Sequence, residues 1–487
     1  MSQETEDKNK TTIEGKTEDF RESLATAEES GKRKWVFAKK PHGKYTRYRD
    51  IVSATLLILL FAFPFITTPG GNPIFQFDIL NRQFYVFGSY FSPSDFYLFG
   101  IGLVTTVVFI IVFTVIYGRI FCGWICPQTI FMEHVFRKIE FLVDGDRNKQ
   151  IRLSKQEWDS EKIRKRLLKW TLFAIFSFIV SNLFLTYIFG KKEMLKMIIE
   201  GPTKNMTLFV SLIIFTALFY FVFAWFREQV CTFVCPYGRL QGVLIDKDTI
   251  NITYDFVRGE GTAGRSKWRK NEDRKALGKG DCIDCGQCVV VCPTGIDIRN
   301  GNQLECVNCT ACIDACDDVM TKIGLPTGLI RYASEDMIEK RTKFKFNTRI
   351  IAYTAVLFIL VSVCMSLLFI RSNVETKFLK VVGTQFTIED NQVINEYQFI
   401  FINKTTDKKT LNVKVLKPEN ADIFLMGYGT HLYIDSKRTI KGTATVKIPQ
   451  SSLKHTKEEI IIAVFDDQGN KIDEYKTNFI GPLKERF

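Results

Sequence analysis

The chain has 487 residues, of which 46% are hydrophobic and 43 are Phe, and its formal net charge is +13. This length indicates several domains and excludes a single small one. A charge of this size also occurs in nucleic-acid-binding proteins, but here the basic residues flank apolar stretches. Retention of Lys and Arg on one side of a membrane therefore explains the charge better. The first 50 residues are polar and charged, and no cleavable signal peptide is visible among them.

The first half of the chain has the pattern of a membrane protein. Residues 1–50 are expected to form a basic cytoplasmic N-terminus, disordered over its first ~30 residues. A membrane domain is expected over 51–240 and a further transmembrane helix over 341–371. Five apolar stretches are candidate spans; the last four have the ~20 residues that cross a bilayer, whereas the first is short and contains Pro64. They are Ile51–Ile66, Phe96–Ile116, Leu167–Phe189, Met206–Phe226 and Ile350–Ile370.

The distribution of Lys and Arg predicts the orientation of these spans, because basic loops stay in the cytoplasm. The N-terminus and the basic segments 117–166 and 227–349 are placed inside. The segment 67–95, with Arg82 as its basic residue, and the tail after Ile370 are placed outside. Segment 190–205 does not fit this pattern, because its four lysines would also lie outside. These lysines are Lys191, Lys192, Lys196 and Lys204.

A cysteine motif occurs at the cytoplasmic ends of the second and fourth predicted spans. Its form is C-x3-C-P, and its cysteines are Cys122, Cys126, Cys231 and Cys235. On a helix, positions i and i+4 share a face, so each pair of thiols would point the same way until the proline ends or kinks the helix. The repetition indicates two copies of one hairpin unit. Together the pairs would form a four-thiolate site, which suits Cu(I), zinc or iron–sulfur.

Other interpretations of these cysteines stay open. An alternative is that they are small buried hydrophobes, and the sequence does not tell whether they form one site or two. His134 and Met132 follow Cys126 and are candidate extra ligands, although a lone His more often packs. Cys364 stands alone in the fifth predicted span and is expected to serve packing.

The densest cysteine pattern runs from Cys282 to Cys316 and contains eight of the 13 cysteines. It repeats C-x2-C-x2-C-x3-C, the spacing of bacterial ferredoxins, in which three thiolates of a run hold one 4Fe–4S cluster and the fourth holds the other. Paired zinc sites are the alternative, but a third cysteine two residues on is not a zinc pattern. Two clusters are therefore expected. One is held by Cys282, Cys285, Cys288 and Cys316, and the other by Cys306, Cys309, Cys312 and Cys292.

The cytoplasmic region expected over 241–340 contains one other motif ahead of its ferredoxin-type domain, 275–330. Residues 259–264 match G-x-G-x-x-G after a strand-like segment. A dinucleotide fingerprint requires an apolar helix next, whereas a basic stretch from Arg265 follows. The sequence therefore predicts a flexible basic loop here.

The tail, 372–487, has the composition of an all-β sandwich of about 100 residues. Its predicted strands are rich in Val, Ile, Thr and Phe and are separated by turn residues. It contains no cysteine, and its two histidines, His431 and His455, do not form a metal-ligand cluster, so we expect a docking module. The predicted strands are Gln392–Asn403, Thr410–Leu416, Thr439–Ile448 and Glu459–Phe465.

Outside the N-terminal ~30 residues, the chain resembles the cytochrome c oxidase accessory protein family called CcoG, FixG or RdxA. The resemblance is carried by F-C-G-W-I-C-P-Q-T at 121–129, V-C-T-F-V-C-P-Y-G-R-L-Q at 230–241, Y-D-F-V-R-G-E at 254–260, C-V-V-V-C-P-T-G-I-D-I-R at 288–299, A-C-I-D-A-C-D-D-V-M at 311–320 and G-L-I-R-Y at 328–332. It implies a multi-domain protein: an α-helical bundle of five transmembrane helices, a two-cluster ferredoxin-like α+β insertion in the cytoplasm, and a periplasmic immunoglobulin-like β sandwich.

The resemblance also implies a function. Members are bacterial inner-membrane iron–sulfur proteins thought to reduce Cu(II) to Cu(I) during copper supply to a cbb-type oxidase, alongside oxidase-assembly or copper-transport proteins. The eight ferredoxin cysteines would be cluster ligands, and the C-x3-C-P thiols would meet copper or relay electrons. No nucleic-acid partner is expected, and the electron donor stays open.

Two alternative functions are compatible with the same residues. The chain could be a membrane polyferredoxin relay that passes electrons from quinol or a cytoplasmic donor to another redox protein. It could also be a copper-binding assembly chaperone whose clusters are structural. The β tail and the extent of the resemblance favour the cupric reductase.

Overall fold

The computed structural model describes residues 33–482 apart from 70, 80–82, 93–94, 271, 343–347, 372, 382–385, 406 and 454. The expected disorder near the N-terminus and the basic residue Arg82 therefore lie outside the described residues. The chain divides into two compact units. One contains the chain up to Ala62 with Gly102–Thr186 and Lys192–Val361, and the other contains Phe63–Ile101, Tyr187–Lys191 and the chain from Ser362.

In the described part of the chain, four helices are long and apolar enough to cross a membrane. Their apolar side chains are largely exposed, and in the last helix none of the most apolar window is buried. Apolar surface of this extent marks contact with lipid or protein, so the chain is a membrane protein. The helices agree with the last four predicted spans. They are Phe96–Tyr117, Ser160–Phe189, Met206–Phe226 and Ile350–Ile370.

The helix at the first predicted span differs from the expected Ile51–Ile66. It runs over Lys44–Ala62, so its first turns are basic and polar. It ends before Phe63, which precedes Pro64, because the residue before a proline disfavours the helical conformation. The apolar part of this helix is therefore shorter than expected, and a fifth span stays a prediction.

Short helices follow the spans, and some of them carry the C-x3-C-P motifs. The backbone turns at Cys126 (ψ 124°) and at Cys235 (ψ 110°), because each residue precedes a proline. The first helical segment of each motif thus ends at the second cysteine, as the following proline predicts, and the shared face of the two thiols stays a prediction. The short helices are Ile120–Trp124, Pro127–Thr129, Ile130–Phe136, Arg137–Val143, Arg147–Lys155, Lys191–Glu200, Val230–Val234 and Pro236–Leu244, and Val222–Phe226 is the last segment of the span Met206–Phe226.

The ferredoxin-like region is built on a two-stranded antiparallel sheet of Asn251–Tyr254 and Ile330–Ala333. This sheet brackets the cysteine run at both ends and contributes Ile252 and Ile330 to the core around it. The region is α+β, as predicted. Its helices are Phe256–Glu260, Gln287–Val290, Ile298–Asn300, Ala311–Lys322 and Glu335–Glu339.

The C-terminal region is a β sandwich, and four of its nine described strands match the four predicted segments to within a few residues. The strand order of one sheet is Asp422–Leu425, Thr439–Pro449, Gln392–Asn403 and Val374–Lys380, and the short strand Thr387–Glu389 also pairs with Gln392–Asn403. The strand order of the other sheet is His431–Ile434, Lys409–Lys417, Lys457–Phe465 and Lys471–Ile480. Inward side chains of both sheets, such as Phe399 and Leu411, form one core.

The same unit contains a small sheet that the sequence analysis missed. Strands Phe75–Asp78, Gln83–Val86 and Ser89–Phe91 pair in that order within the 67–95 segment.

A buried carboxylate, that of Asp95, follows this sheet. It accepts hydrogen bonds from Lys404 Nζ at 2.6 Å and from Arg371 Nη2 at 2.9 Å. Burial opposes ionisation of Asp95, but the bond from Lys404 and its other partners outweigh burial and hold its pKa below the usual value.

We predict that Asp95→Asn destabilises this unit by about 3 kcal/mol, because two cations lose a buried carboxylate partner. The folded-state pKa of Asp95 is lowered, so its contribution is present above the ordinary Asp pKa and is lost as the pH falls through the folded-state value. Hydrogen exchange of strand Gln392–Asn403 at neutral and acid pH measures the loss. Exposed Asp467→Asn is the matched control, and equal exchange in the two variants would contradict the prediction.

Candidate metal centres

The eight cysteines of the ferredoxin-like run surround two neighbouring cavities. The first is lined by Cys282, Cys285, Cys288 and Cys316, together with apolar side chains and Arg299. The second is lined by Cys292, Cys306, Cys309 and Cys312, with Cys288 also at its wall. In each cavity three cysteines come from one loop and the fourth from the other half of the run. The structure thus brings together the two sets of four that the spacing predicts.

The two cysteine loops have the same backbone conformation. Asp284 and Asn308, each two residues after the first cysteine of its loop, have φ of 52° and 53°. Gly286 and Thr310, two residues further on, have φ of 65° and 64°. Such left-handed residues turn successive N–H groups toward the concave side of a loop, where they favour an anion. A β-branched residue in this conformation is strained, and strain held at Thr310 is typical of a functional site.

The cavities suit a polyatomic cluster and not a single ion. A zinc ion holds its sulfur ligands at ~2.3 Å, which requires closely converging side chains. Among the described residues, no three His, Cys, Asp or Glu side chains converge closely enough to hold one ion. Four cysteines spread around an apolar cavity match the ligand set of a 4Fe–4S cluster.

Burial dominates the electrostatics of these thiols. It raises the pKa of Cys288, Cys306 and Cys316 to about 12. Cations oppose the shift: Arg299 lowers the pKa of Cys288, and Arg119 lowers that of Cys306. Because metal ligands must be thiolates, cluster binding has to displace protons from these sites.

The two C-x3-C-P motifs pack against each other. Cys122 Sγ donates to Oε1 of the fully buried Gln241 at 3.3 Å, and the Phe121 and Tyr237 rings meet edge to face at 6.0 Å. Arg119, which precedes the first motif, donates to the carbonyl of Gly238. The helix that follows the second motif therefore lies directly against the first motif.

The electrostatics place all four of these thiols in one neighbourhood. Burial raises the pKa of Cys122 to about 12, against the opposing effect of Arg119. Burial and the other three thiols raise the pKa of Cys231 to about 12. The four cysteines thus act on one another, although they do not converge on a single point.

A close backbone contact joins this four-thiol site to the second cavity. A Cβ on Gly123 would clash with the carbonyl oxygen of Val307 and lie 2.7 Å from that of Asn308. Arg49 Nε donates to the Gly123 carbonyl at 3.1 Å. One layer of backbone therefore separates the Cys122 loop from the loop that carries Cys306.

Two buried polar side chains at this contact were missed by the sequence analysis. Arg119 is 5% exposed and donates to the carbonyls of Leu304 and Gly238. In the described part of the chain, its Nε and the Nε2 of Gln241 are buried without a partner. Orphaned buried donors are costly and indicate a missing acceptor, which an anionic metal–thiolate group would supply. A cation three residues before a cysteine at the end of an apolar span was the available signal.

Two of the other candidate residues lie apart from these centres. His134 Nδ1 hydrogen-bonds Asp50 Oδ1 at 2.8 Å, and Met132 packs in an apolar core with Phe136. Neither residue has a described contact with the cysteine sites. Cys364 lies in the last span.

Comparisons with known proteins agree with this organisation. Residues 99–148 match a family model described as a 4Fe-4S binding domain, 226–335 match a 4Fe-4S dicluster domain, and 364–482 match the Ig-like fold at the C-terminus of FixG. The iron–sulfur character and the Ig-like fold predicted from the sequence are thus confirmed.

Three relatives cover most of the chain. RdxA of Cereibacter sphaeroides is 36% identical over 352 residues, 69% of this chain and 72% of that protein. RdxB of the same organism is 30% identical over 90% of this chain and 97% of its own length. FixG of Rhizobium meliloti is 28% identical over 92% of this chain and 93% of its own length. The chain therefore belongs to the FixG/RdxA family.

Proposed function

We propose that this membrane-associated iron–sulfur electron-transfer protein reduces Cu(II) to Cu(I) and supplies copper during assembly of a cbb-type cytochrome c oxidase. The observation that carries the proposal is the contact of Gly123 with Val307 and Asn308. It lays a four-thiol site directly beside a ferredoxin-type cysteine cavity. The reduction of copper requires a site that binds a soft metal ion beside a group that donates one electron.

The eight cysteines around the two cavities are the cluster ligands in this proposal. The cavities fit such clusters by donor set, apolar lining and repeated left-handed loop geometry. When bound, the clusters supply electrons one at a time. The chain holds them in the predominantly apolar core of the ferredoxin-like region, which limits contact with water and oxidants.

Cys122, Cys126, Cys231 and Cys235 receive the copper, with two of these thiolates as the ligands of Cu(I), since no three of the described thiols converge on one ion. Thiolates prefer Cu(I) to Cu(II), so a site built from them makes the gain of one electron by copper more favourable. Arg119 places a buried positive charge beside both Cys122 and Cys306, which stabilises negative charge on either side of the contact. Gln241 holds Cys122 in place through its amide oxygen.

The proposed orientation follows from the basic segments. The N-terminus, the four-thiol site and the ferredoxin-like region lie on the cytoplasmic side of a bacterial inner membrane, and the Ig-like domain lies in the periplasm, where it docks assembly or copper-transport proteins. Segment 190–205, with its four lysines, does not fit this orientation.

The reductase proposal is tested with protein whose clusters are chemically reduced under anaerobic conditions and then freed of reductant. Adding Cu(II) should oxidise the clusters and give stoichiometric Cu(I), captured by a chromogenic chelator. The paired variants Cys122→Ser/Cys126→Ser and Cys231→Ser/Cys235→Ser should lose this product. Cys364→Ser, in the last span, is the matched control and should keep it.

Two outcomes would favour the alternatives. Clusters that stay reduced with copper but are reoxidised by a quinone would support an electron relay. Cys285→Ser disturbs the first cluster; if it left Cu(I) formation unchanged, the clusters would be structural and the protein a copper chaperone.

Arg119 gives a second prediction. Arg119→Gln should move the midpoint potential of the second cluster to a more negative value, because cluster potentials depend on net charge and the reduced cluster loses a nearby cation. Arg119→Lys should restore most of the potential. A redox titration followed by electron paramagnetic resonance measures the shift. Exposed Arg239→Gln removes the same charge from a neighbouring helix, and an equal shift in that variant would contradict the assignment.

A further inference from the structure

The loop 262–279 joins the ferredoxin-like core through a tight glycine stem. Ala263 N–H donates to the carbonyl of Gly278 at 2.8 Å, and Cys282 N–H donates to that of Gly259 at 3.1 Å. A Cβ on Gly280 would clash with the Gly259 carbonyl. The glycines of the G-x-G-x-x-G motif thus allow two strands of the stem to touch, and the stem ends on the first cysteine of the run.

A buried arginine fixes this loop to the first cysteine cavity. Arg274 is 6% exposed. Its Nε donates to the Gly280 carbonyl at 3.0 Å, and its Nη2 donates to the carbonyls of Ser266 at 3.1 Å and Cys282 at 3.2 Å. Arg274 therefore anchors the base of the loop to the first centre, and the flexibility that the sequence predicts for its outer part stays a prediction.

The outer face of the loop is strongly basic. Residues 262–279 contain seven Lys or Arg and two acidic residues. Both acids are used inside the loop, since Glu272 pairs with Lys279 and Asp273 accepts from the backbone N–H groups of Lys275 and Ala276. Within the described residues, the exposed cations are in no ion pair, and Trp268 between them is 44% exposed. These cations are Lys267, Arg269, Lys270 and Lys275.

The loop is attached to the first cysteine cavity, which is not the cavity that contacts the four-thiol site. Among the 13 cysteines, all of which the structure describes, Cys285 at the first cavity is the exposed one. The second cavity instead lies against Gly123 of the first C-x3-C-P motif. An electron that enters at the surface beside Cys285 would therefore reach the four-thiol site last.

We propose that loop 262–279 is the docking surface for an acidic, soluble one-electron carrier protein that reduces the first cluster. The proposal rests on the cluster assignment of the proposed function. The carrier loses one electron and the cluster gains it, with no bond made or broken and no proton required. The positive charge of the loop favours an acidic protein partner, because complementary charges steer association and set its salt dependence. The exposed aromatic ring among the cations is also typical of a protein interface.

A membrane surface is the competing occupant of a basic loop. The described contacts argue against it, because every hydrogen-bond or ion-pair partner of the loop lies between Gly259 and Cys282. The loop thus has no described polar contact with the membrane helices. It is anchored at the first cysteine cavity, whereas the second cavity is the one that contacts the C-x3-C-P motif at the end of a membrane helix.

The test uses the complete protein in detergent with its clusters, and an acidic plant-type ferredoxin as the probe. The variant K267Q/R269Q/K270Q neutralises the loop. The matched control K414Q/K417Q/K441Q removes three exposed lysines of the β sandwich. Binding of oxidised ferredoxin at low ionic strength should weaken about tenfold in the loop variant and not in the control. The difference should vanish at high salt, and the rate of cluster reduction by reduced ferredoxin should fall in parallel.

Copper-independent readouts keep this proposal distinct from the reductase proposal. Cu(I) formation by chemically reduced protein should be the same in the loop variant and the wild type. If the wild type forms no Cu(I) but still binds ferredoxin through the loop, the reductase proposal fails and the docking surface stands. Equal ferredoxin binding in wild type and loop variant overturns the docking surface. Protection of the loop from trypsin only in nanodiscs with phosphatidylglycerol would assign the loop to lipid instead.

Discussion

The contact between Gly123 and the carbonyls of Val307 and Asn308 is the constraint on which the functional architecture depends. Any side chain at position 123 would push the first C-x3-C-P motif away from the cysteine loop. Arg49 and Arg119 reinforce the contact by donating to main-chain carbonyls on both sides of it. These bonds hold a membrane-end thiol site against a ferredoxin-type cavity without a covalent link. One layer of backbone thus separates the four-thiol site from the second cysteine cavity.

The cysteine run and the second thiol site differ in how their geometry is encoded. In the run, spacing fixes which thiols meet, and left-handed positions at Asn308 and Thr310 repeat those of the first loop. In the C-x3-C-P site, proximity comes from packing of two distant segments, through the carbonyl of Gly238, the ring of Tyr237 and the buried amide of Gln241. The first kind of geometry is local and readable from sequence, whereas the second depends on the tertiary fold.

The limits of sequence reasoning follow from this difference. The four longest spans and four strands of the sandwich were predictable, because hydrophobic length and alternation are local signals. The turn of the backbone at Cys126 was predictable too, because this residue precedes a proline. The contact of Arg119 with the Leu304 carbonyl was not foreseeable, because the two residues are far apart in the chain. The role of Arg274 was not foreseeable either, because it depends on how the stem of the loop folds back onto Cys282. The small sheet within 67–95 was missed, because its three- and four-residue strands are too short to show a period.

Rapid mixing of the fully reduced protein with one equivalent of Cu(II), followed by freeze-quench electron paramagnetic resonance, shows whether the clusters are the source of the electron that copper gains. Both the Cu(II) signal and the reduced-cluster signal are visible in one experiment. We predict that they decay with the same rate constant, because the electron that copper gains is the one that a cluster loses. Decay of the Cu(II) signal with clusters that stay reduced would contradict the account and would identify the thiols themselves as the reductant.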